Sequence, residues 1–490
     1  MSERRIQSAP KTKGENDKYG IVLGGGGSKG CYHVGVWQAF NEEGIEFDAL
    51  SGTSIGALVG IFYPGNRIGT VTDFVMTMEP DHIAQDLPYY PSTLKETIKG
   101  GKTILNFIIR YFDSRMDITP LREHFKAMFD YETFKNSPVR YACMTWNDTK
   151  KVARGFYKGE ITKDNAEQIV MASAACYPAF PKVVIDGDEY MDGMYADNVP
   201  IELLNQIQPD ATWTVVVDLH DPQEALPPAL TDQMFYLQPL LQPGNALDFS
   251  PAHAARLYAQ GYLETRKSLG RLPGYLYTFR EEDEPAIAIV EDYLARQITN
   301  MKIVLPQVKG RPLTEHLFKS VLGYVPNDLP TPFMDHYEFG SMVEALALMS
   351  GLDPIALYDY RYFIETVLER LKTQKMTTKN SEEFALLELL GSVRREEIPQ
   401  ILFHTLKSRN GRFPERIEQM KDRIPVSYTL AVIRYCLDLL LSSLTGTLNS
   451  QNDENEDGLD EKQLDAREQQ RADQTPELDQ SAQKEPEAKG

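Results

Sequence analysis

The chain has 490 residues, 42% of them hydrophobic, and 51 Lys+Arg against 71 Asp+Glu leave a net charge of −20. That length holds two or three domains with a core that needs neither disulfide nor metal, and the acidic balance excludes a general nucleic-acid binder, which needs a basic field to displace counterions from phosphate. Four scattered cysteines (Cys31, Cys143, Cys176, Cys436) without CxxC spacing, and eight histidines without HExxH, argue against structural zinc and for a reducing compartment.

The first 16 residues are polar, with no apolar h-region, so they are expected to be disordered and not a signal peptide. From Tyr19 the sequence YGIVL predicts a strand that runs into a glycine loop and a helix over Cys31–Glu43. The loop, Gly25-Gly26-Gly27-Ser28-Lys29-Gly30, fits G-x-G-x-x-G, with Glu46 and Asp48 near where a dinucleotide-binding acid would stand. Its glycines let backbone N–H groups approach an anion closely, either a pyrophosphate or the oxyanion of a tetrahedral intermediate. A second apolar run, Phe47–Ser51, leads into Gly52-Thr53-Ser54-Ile55-Gly56 and the helical ALVGIFY. That is G-x-S-x-G on a strand-turn-helix, the setting that raises a serine on a strained elbow. A Rossmann domain has no use for it.

Further along, Tyr89 to Phe112 reads as a lid or as a cap helix packed on the core, and Lys95, Lys99, Lys102 and Arg110 against Glu96 make residues 95–110 net positive, which suits peripheral contact with an anionic lipid surface. Gly100-Gly101-Lys102-Thr103 imitates the end of a P-loop, but Glu96 stands where the first glycine is required. Strands are expected at Val139–Trp146, Lys182–Ile185 and Thr212–Leu219, the last a β-branched run of the kind buried on both faces of a parallel sheet. Beyond Pro222 the pattern turns helical: a helix from Ser250 to Leu269, then Ile287–Gln297, Ser341–Met349, Pro354–Thr373, Ser381–Leu390 and Ser427–Leu444. The apolar run Ala431–Leu444 is broken by Arg434 and Asp438 and falls short of the ~20 residues of a spanning helix, so no transmembrane segment is expected. From Asp453 to Lys489 there are 13 acids and 5 bases with almost no large apolar residue, a composition expected to stay disordered.

A serine hydroxyl needs a base. Asp192, in Tyr190-Met191-Asp192-Gly193-Met194, and His220, ending Val217-Asp218-Leu219-His220, are the downstream candidates, either as a Ser54–Asp192–His220 triad or as a bare Ser54–Asp192 dyad.

Four blocks in order then resemble the patatin-like phospholipases: Gly25–Gly30 its G-G-G-x-K/R-G motif, Gly52–Gly56 its G-T-S-x-G elbow, Ala172-Ser173-Ala174-Ala175 with Pro178, Phe180 and Pro181 its A-S-x-x-x-P-x-F-x-P block, and Asp192-Gly193 followed by Asp197-Asn198-Val199-Pro200 its D-G-G/A and N-x-P stretch. The resemblance, over about residues 17 to 280, implies a three-layer α/β/α sheet domain there. An appended helical domain at 281–446 and a disordered acidic tail at 447–490 complete the expected organisation. It further implies a lipid acyl hydrolase of phospholipase A or lysophospholipase type, with Ser54 as nucleophile, Asp192 as base, no histidine, and an oxyanion hole from the loop Gly25, Gly26, Gly27, Ser28, Lys29, Gly30. Membrane phospholipid or lysophospholipid is the substrate it implies, with no metal, cofactor or nucleic acid, in a cytoplasmic protein with peripheral contact at the inner membrane face. Met194 departs from the family, which has Gly or Ala there, and Gly24 stands where some members carry Asp. Two rivals remain: a soluble ester or thioester hydrolase using the triad with His220, and a lipid-binding regulatory protein without turnover, for which Met194 is the best argument.

Overall fold

The computed structural model describes residues 13–84, 116–222, 226–231, 233–308, 312–326, 337–373 and 397–453, with side chains to 443. The expected lid and basic segment at 95–110, the helix expected over Ser381–Leu390, and the acidic tail after 453 lie outside the described residues.

One mixed sheet organises the fold. Its strands are β1 (Tyr19–Leu23), β2 (Ala49–Thr53), β3 (Arg140–Asn147), β4 (Val152–Tyr157), β5 (Val183–Ile185), β6 (Asp188–Asp192), β7 (Trp213–Val217) and β8 (Met234–Leu237), in the order β5-β6-β3-β2-β1-β7-β8 with β4 also paired to β3. The central run β3, β2, β1, β7, β8 is parallel, and β4, β5 and β6 are antiparallel to their neighbours. Parallel strands need cover on both faces. On one face Val22, Ala49 and Val216 pack against Ile201 and Leu204 of a helix over Ile201–Ile207. On the other, Trp213 meets Phe40 of helix α1 (Gly30–Glu42). The result is the expected three-layer α/β/α arrangement.

The expected strands and first helices all form, within about two residues at most ends. The sequence patterns did not mark β4, β6 or β8: VARGFY carries Arg154 and Gly155 and lies half-exposed, DEYMD opens on two acids, and MFYL is short. After the sheet come helices at Pro251–Ser268, Glu284–Asn300, Leu313–Leu322, Glu338–Met349, Tyr360–Thr373, Ile398–Ser408, Glu415–Met420 and Pro425–Asp453. The last is longer than expected and enters the segment read as tail. Within it Pro425–Ser443 is long and apolar enough to cross a membrane by length and composition, which the shorter run Ala431–Leu444 is not, and 61% of that window is buried, as in a core helix.

By its contacts the chain divides into two compact units, Met1–Tyr435 and Cys436–Gly490. The expected boundary at 280 is bridged within the first. Strand β9 (Thr278–Phe279) pairs in parallel with β10 (Leu357–Tyr358). Fully buried Glu344 accepts the backbone N–H groups of Tyr275 (2.9 Å), Leu276 (2.6 Å) and Tyr277 (3.3 Å) and the hydroxyl of Tyr337 (2.8 Å). Three amides at the end of the sheet domain therefore depend on one carboxylate from the helical region. Each buried donor left without a partner costs ~1–3 kcal/mol, so Glu344→Ala is expected to lower unfolding stability by at least ~3 kcal/mol in denaturant titration; a loss below ~1 kcal/mol would contradict the bridge.

Candidate active site

Strand β3 sets the site by its register. Along one of its ladders Met144 pairs with Thr53, the last residue of β2, and the next residue, Thr145, pairs with Asp192, the last residue of β6. The ends of two strands running in opposite directions are thus held at consecutive positions. Ser54 follows β2 in a backbone conformation of φ 56° and ψ −123°, which a side chain rarely adopts, before helix α2 (Ile55–Gly60) begins. Neighbouring glycine makes the turn possible: a Cβ on Gly56 would lie 2.1 Å from the Leu23 carbonyl oxygen. The Ser54 N–H is anchored by Ser173 Oγ at 3.0 Å, whose own hydroxyl donates to the Met144 carbonyl at 2.7 Å.

The Ser54 hydroxyl donates to Asp192 Oδ2 at 2.7 Å, and Asp192 Oδ1 accepts the Met194 N–H at 2.8 Å. Asp192 is 1% exposed, and this burial pushes its carboxyl up to about 7 against the opposing pull of those two hydrogen bonds. A carboxylate so raised has proton affinity near neutral pH, which a general base requires.

The glycine loop lies against the serine, for a Cβ on Gly25 would come within 3.2 Å of Ser54 Cβ. Its N–H groups divide into two sets. Gly25 donates to Asn198 O, Ser28 to Ala246 O, Lys29 to Gly26 O and Gly30 to Gly27 O and Ser28 O. Among the described residues the N–H groups of Gly26 and Gly27 meet no acceptor. Gly27 has φ 60°, and a Cβ there would strike the Ala246 carbonyl oxygen at 2.3 Å. Two unspent donors beside an activated hydroxyl are what acyl transfer uses.

Comparison with known proteins bears on this geometry. Residues 21–205 match the model for the family described as patatin-like phospholipase. Over that segment the chain is similar to a patatin-like phospholipase domain. It is similar to lysophospholipase NTE1 of Scheffersomyces stipitis (26% identical over 218 residues, 43% of this chain and 12% of that protein), to lysophospholipase nte1 of Emericella nidulans (25% over 269 residues, 53% and 16%) and to lysophospholipase NTE1 of Kluyveromyces lactis (28% over 192 residues, 38% and 12%). The aligned segments are thus under a fifth of the length of those relatives. Among solved structures, the crystal structure of VipD from Legionella pneumophila has 13% identity and a TM-score of 0.32, covering 89% of this chain and 95% of that one, a score too low to bear on the fold.

Other candidates of the patatin-like domain fall into place around the pair. His220 does not bond the Ser54 hydroxyl: its Nε2 lies 3.1 Å from Asn198 Nδ2 and its Nδ1 2.8 Å from Asp218 Oδ1. Lys29 is turned to the Leu219 carbonyl (3.3 Å) and Asp221 (3.2 Å), steadying the loop. Met194 is 49% exposed, its sulfur lies 3.9 Å from Cys176 Sγ, and its bond to Asp192 comes from its backbone N–H. Thr53 donates to the Asp197 carbonyl at 2.8 Å, and a Cβ on Gly193 would meet the Met144 carbonyl oxygen at 2.4 Å. Asp48 holds the Tyr19 N–H (2.7 Å) and Lys13 (2.8 Å) at the far end of β1 from the loop, away from any place a dinucleotide ribose would need it. No group of three His, Cys, Asp or Glu placed to hold a metal occurs among the described residues.

Sequence reasoning did not single out Ser173, Asn198 or His33 as site residues. The first two lie inside the motif blocks, and that membership was the available signal. Fully buried His33 gave none: its Nε2 lies 2.8 Å from the Gly24 carbonyl, and burial lowers its pKa to about 4, so the neutral ring donates to that carbonyl and fixes the start of the loop.

Burial raises the Asp192 carboxyl above its usual 3.8, so the native state prefers the proton and loses stability as pH rises towards and past about 7. Asp192→Asn removes that cost. Its melting temperature at pH 8 is expected to equal or exceed wild type, with the advantage shrinking at pH 5; a fall of several degrees at pH 8 would contradict the account.

Proposed function

We propose that the protein is a lipid acyl hydrolase of phospholipase A or lysophospholipase type, acting through a Ser54–Asp192 dyad. The observation that carries the reading is the 2.7 Å hydrogen bond from a serine on a strained elbow to a buried carboxylate, beside two uncommitted backbone donors. In the first half-reaction Ser54 Oγ attacks the acyl carbonyl carbon and its proton passes to Asp192. The carbonyl electron pair moves onto oxygen, which the N–H groups of Gly26 and Gly27 hold. Collapse of this intermediate breaks the ester bond, and the leaving alcohol takes the proton from Asp192. Water then attacks the acyl-serine by the same route, releasing the fatty acid and restoring Ser54. Each step uses only groups already oriented, which is where such sites gain most of their rate. The family match and the lysophospholipase relatives support a glycerolipid ester as substrate.

The engagement of His220 with Asn198 and Asp218 supports the dyad over the triad. On a soluble fatty-acyl ester, Ser54→Ala is expected to abolish hydrolysis and fluorophosphonate labelling, and Asp192→Asn to lower kcat by at least ~10²-fold. Labelling that persists in Ser54→Ala would overturn the assignment. Only the carboxylate accepts the proton, so kcat/KM should fall as pH drops through about 7; a profile flat from pH 8 to pH 5 would contradict Asp192 as base. Met194→Gly should leave kcat within ~3-fold, since the bond from residue 194 to Asp192 comes from the backbone N–H, which glycine keeps.

A further inference from the structure

We infer that Asn198 and His220 are positioning residues, the inner end of a chain Tyr236–Asp218–His220–Asn198 that sets the peptide plane carrying the Gly26 N–H. The inference rests on the reading of Ser54 as nucleophile and of Gly26 as an oxyanion donor.

A peptide unit is planar and trans, so the carbonyl of Gly25 and the N–H of Gly26 point in opposite directions and holding one aims the other. Glycine gives the loop no side chain with which to resist rotation, so the aim must come from outside. Asn198 supplies it twice. Its backbone carbonyl accepts the Gly25 N–H at 3.0 Å, and its side-chain Nδ2 donates to the Gly25 carbonyl at 3.3 Å. With Gly24 O held by His33, the peptide units on both sides of Gly25 are fixed.

The Asn198 amide has two hydrogens, and the second points to His220 Nε2 at 3.1 Å. That nitrogen therefore acts as acceptor and the ring proton sits on Nδ1, which stands 2.8 Å from Asp218 Oδ1 without hydrogen-bond alignment, so the ring is held to Asp218 by a close polar contact while the hydrogen bond between the two residues comes from the His220 backbone N–H. Asp218 is fully buried and is itself fixed, accepting the His220 N–H at 3.0 Å and the Tyr236 hydroxyl at 2.9 Å. The arrangement copies the logic by which outer residues orient a metal ligand, applied here to a backbone donor. It also gives His220 a task in the reaction while keeping it off the serine.

The test compares wild type with Asn198→Ala, His220→Ala and His220→Gln on a soluble p-nitrophenyl ester, together with inhibition by a trifluoromethyl ketone, whose serine adduct places an oxyanion in the same hole. Losing one oxyanion donor costs ~10²–10³ in kcat, so misaiming one should cost at least ~10-fold. Asn198→Ala and His220→Ala are expected to lower kcat ~10–100-fold with KM within ~3-fold, and to weaken the ketone by the same factor. His220→Gln, which keeps an acceptor near Nε2, should recover most of both. A fall in melting temperature alone, with kcat and ketone affinity unchanged, would overturn the inference, as would equal losses in His220→Gln and His220→Ala. Ser54→Ala run alongside separates the two claims: hydrolysis surviving there defeats the nucleophile, whereas an inactive Ser54→Ala with an unimpaired Asn198→Ala defeats only the positioning chain.

Discussion

The site depends on one ladder of one strand. By pairing Thr53 and Asp192 with consecutive residues of β3, the sheet brings a parallel strand and an antiparallel strand end to end, so the two groups that must meet are separated by 138 residues of sequence and 2.7 Å of space. A shift of one residue in the β6 pairing would turn Asp192 to the other face of the sheet, and one in the β2 pairing would do the same to Thr53 at the foot of the elbow. Nothing local to Ser54 or Asp192 could replace that register. The Ser173 hydroxyl, bridging the Ser54 N–H and the Met144 carbonyl, ties the elbow to the same strand.

The arrangement sets stability against function. Ser54 occupies a strained conformation, and Asp192 is buried so fully that its charge is disfavoured at neutral pH. Both costs are borne by the surrounding core, and both suit the chemistry proposed for the site, since one presents the hydroxyl and the other gives the carboxylate its affinity for a proton. The glycine loop shows the complementary economy. Four of its six N–H groups are used to hold its own shape, and those of Gly26 and Gly27 are left over.

Much of this was legible in the sequence because it is local. The two glycine motifs each sit at a strand-to-helix turn, and turn chemistry announces itself in a few adjacent residues; hence Ser54, Gly26 and the strands beside them could be named in advance. Asp192 was legible as a candidate, but spacing alone did not choose between it and His220; the resemblance implied Asp192, and the register of β6 is what brings it to the serine. Strands β4, β5 and β6 are short or carry charge, and β4 and β6 escaped notice for that reason. Asn198, His33 and Asp218 act on backbone atoms through the third dimension. Their identity follows from which carbonyls the loop presents, and no spacing along the chain encodes that. The dependence of Tyr275–Tyr277 on Glu344 is of the same kind, since it joins positions about 70 residues apart that no local pattern links.

The most direct test of the central claim is a crystal structure of the protein after reaction with a fluorophosphonate. The account predicts phosphorus bonded to Ser54 Oγ, with one phosphoryl oxygen ~2.7–3.1 Å from the N–H groups of Gly26 and Gly27 and the Asp192 carboxylate still beside Ser54. An adduct on another residue, or one on Ser54 whose oxygens all turn away from the glycine loop, would contradict it.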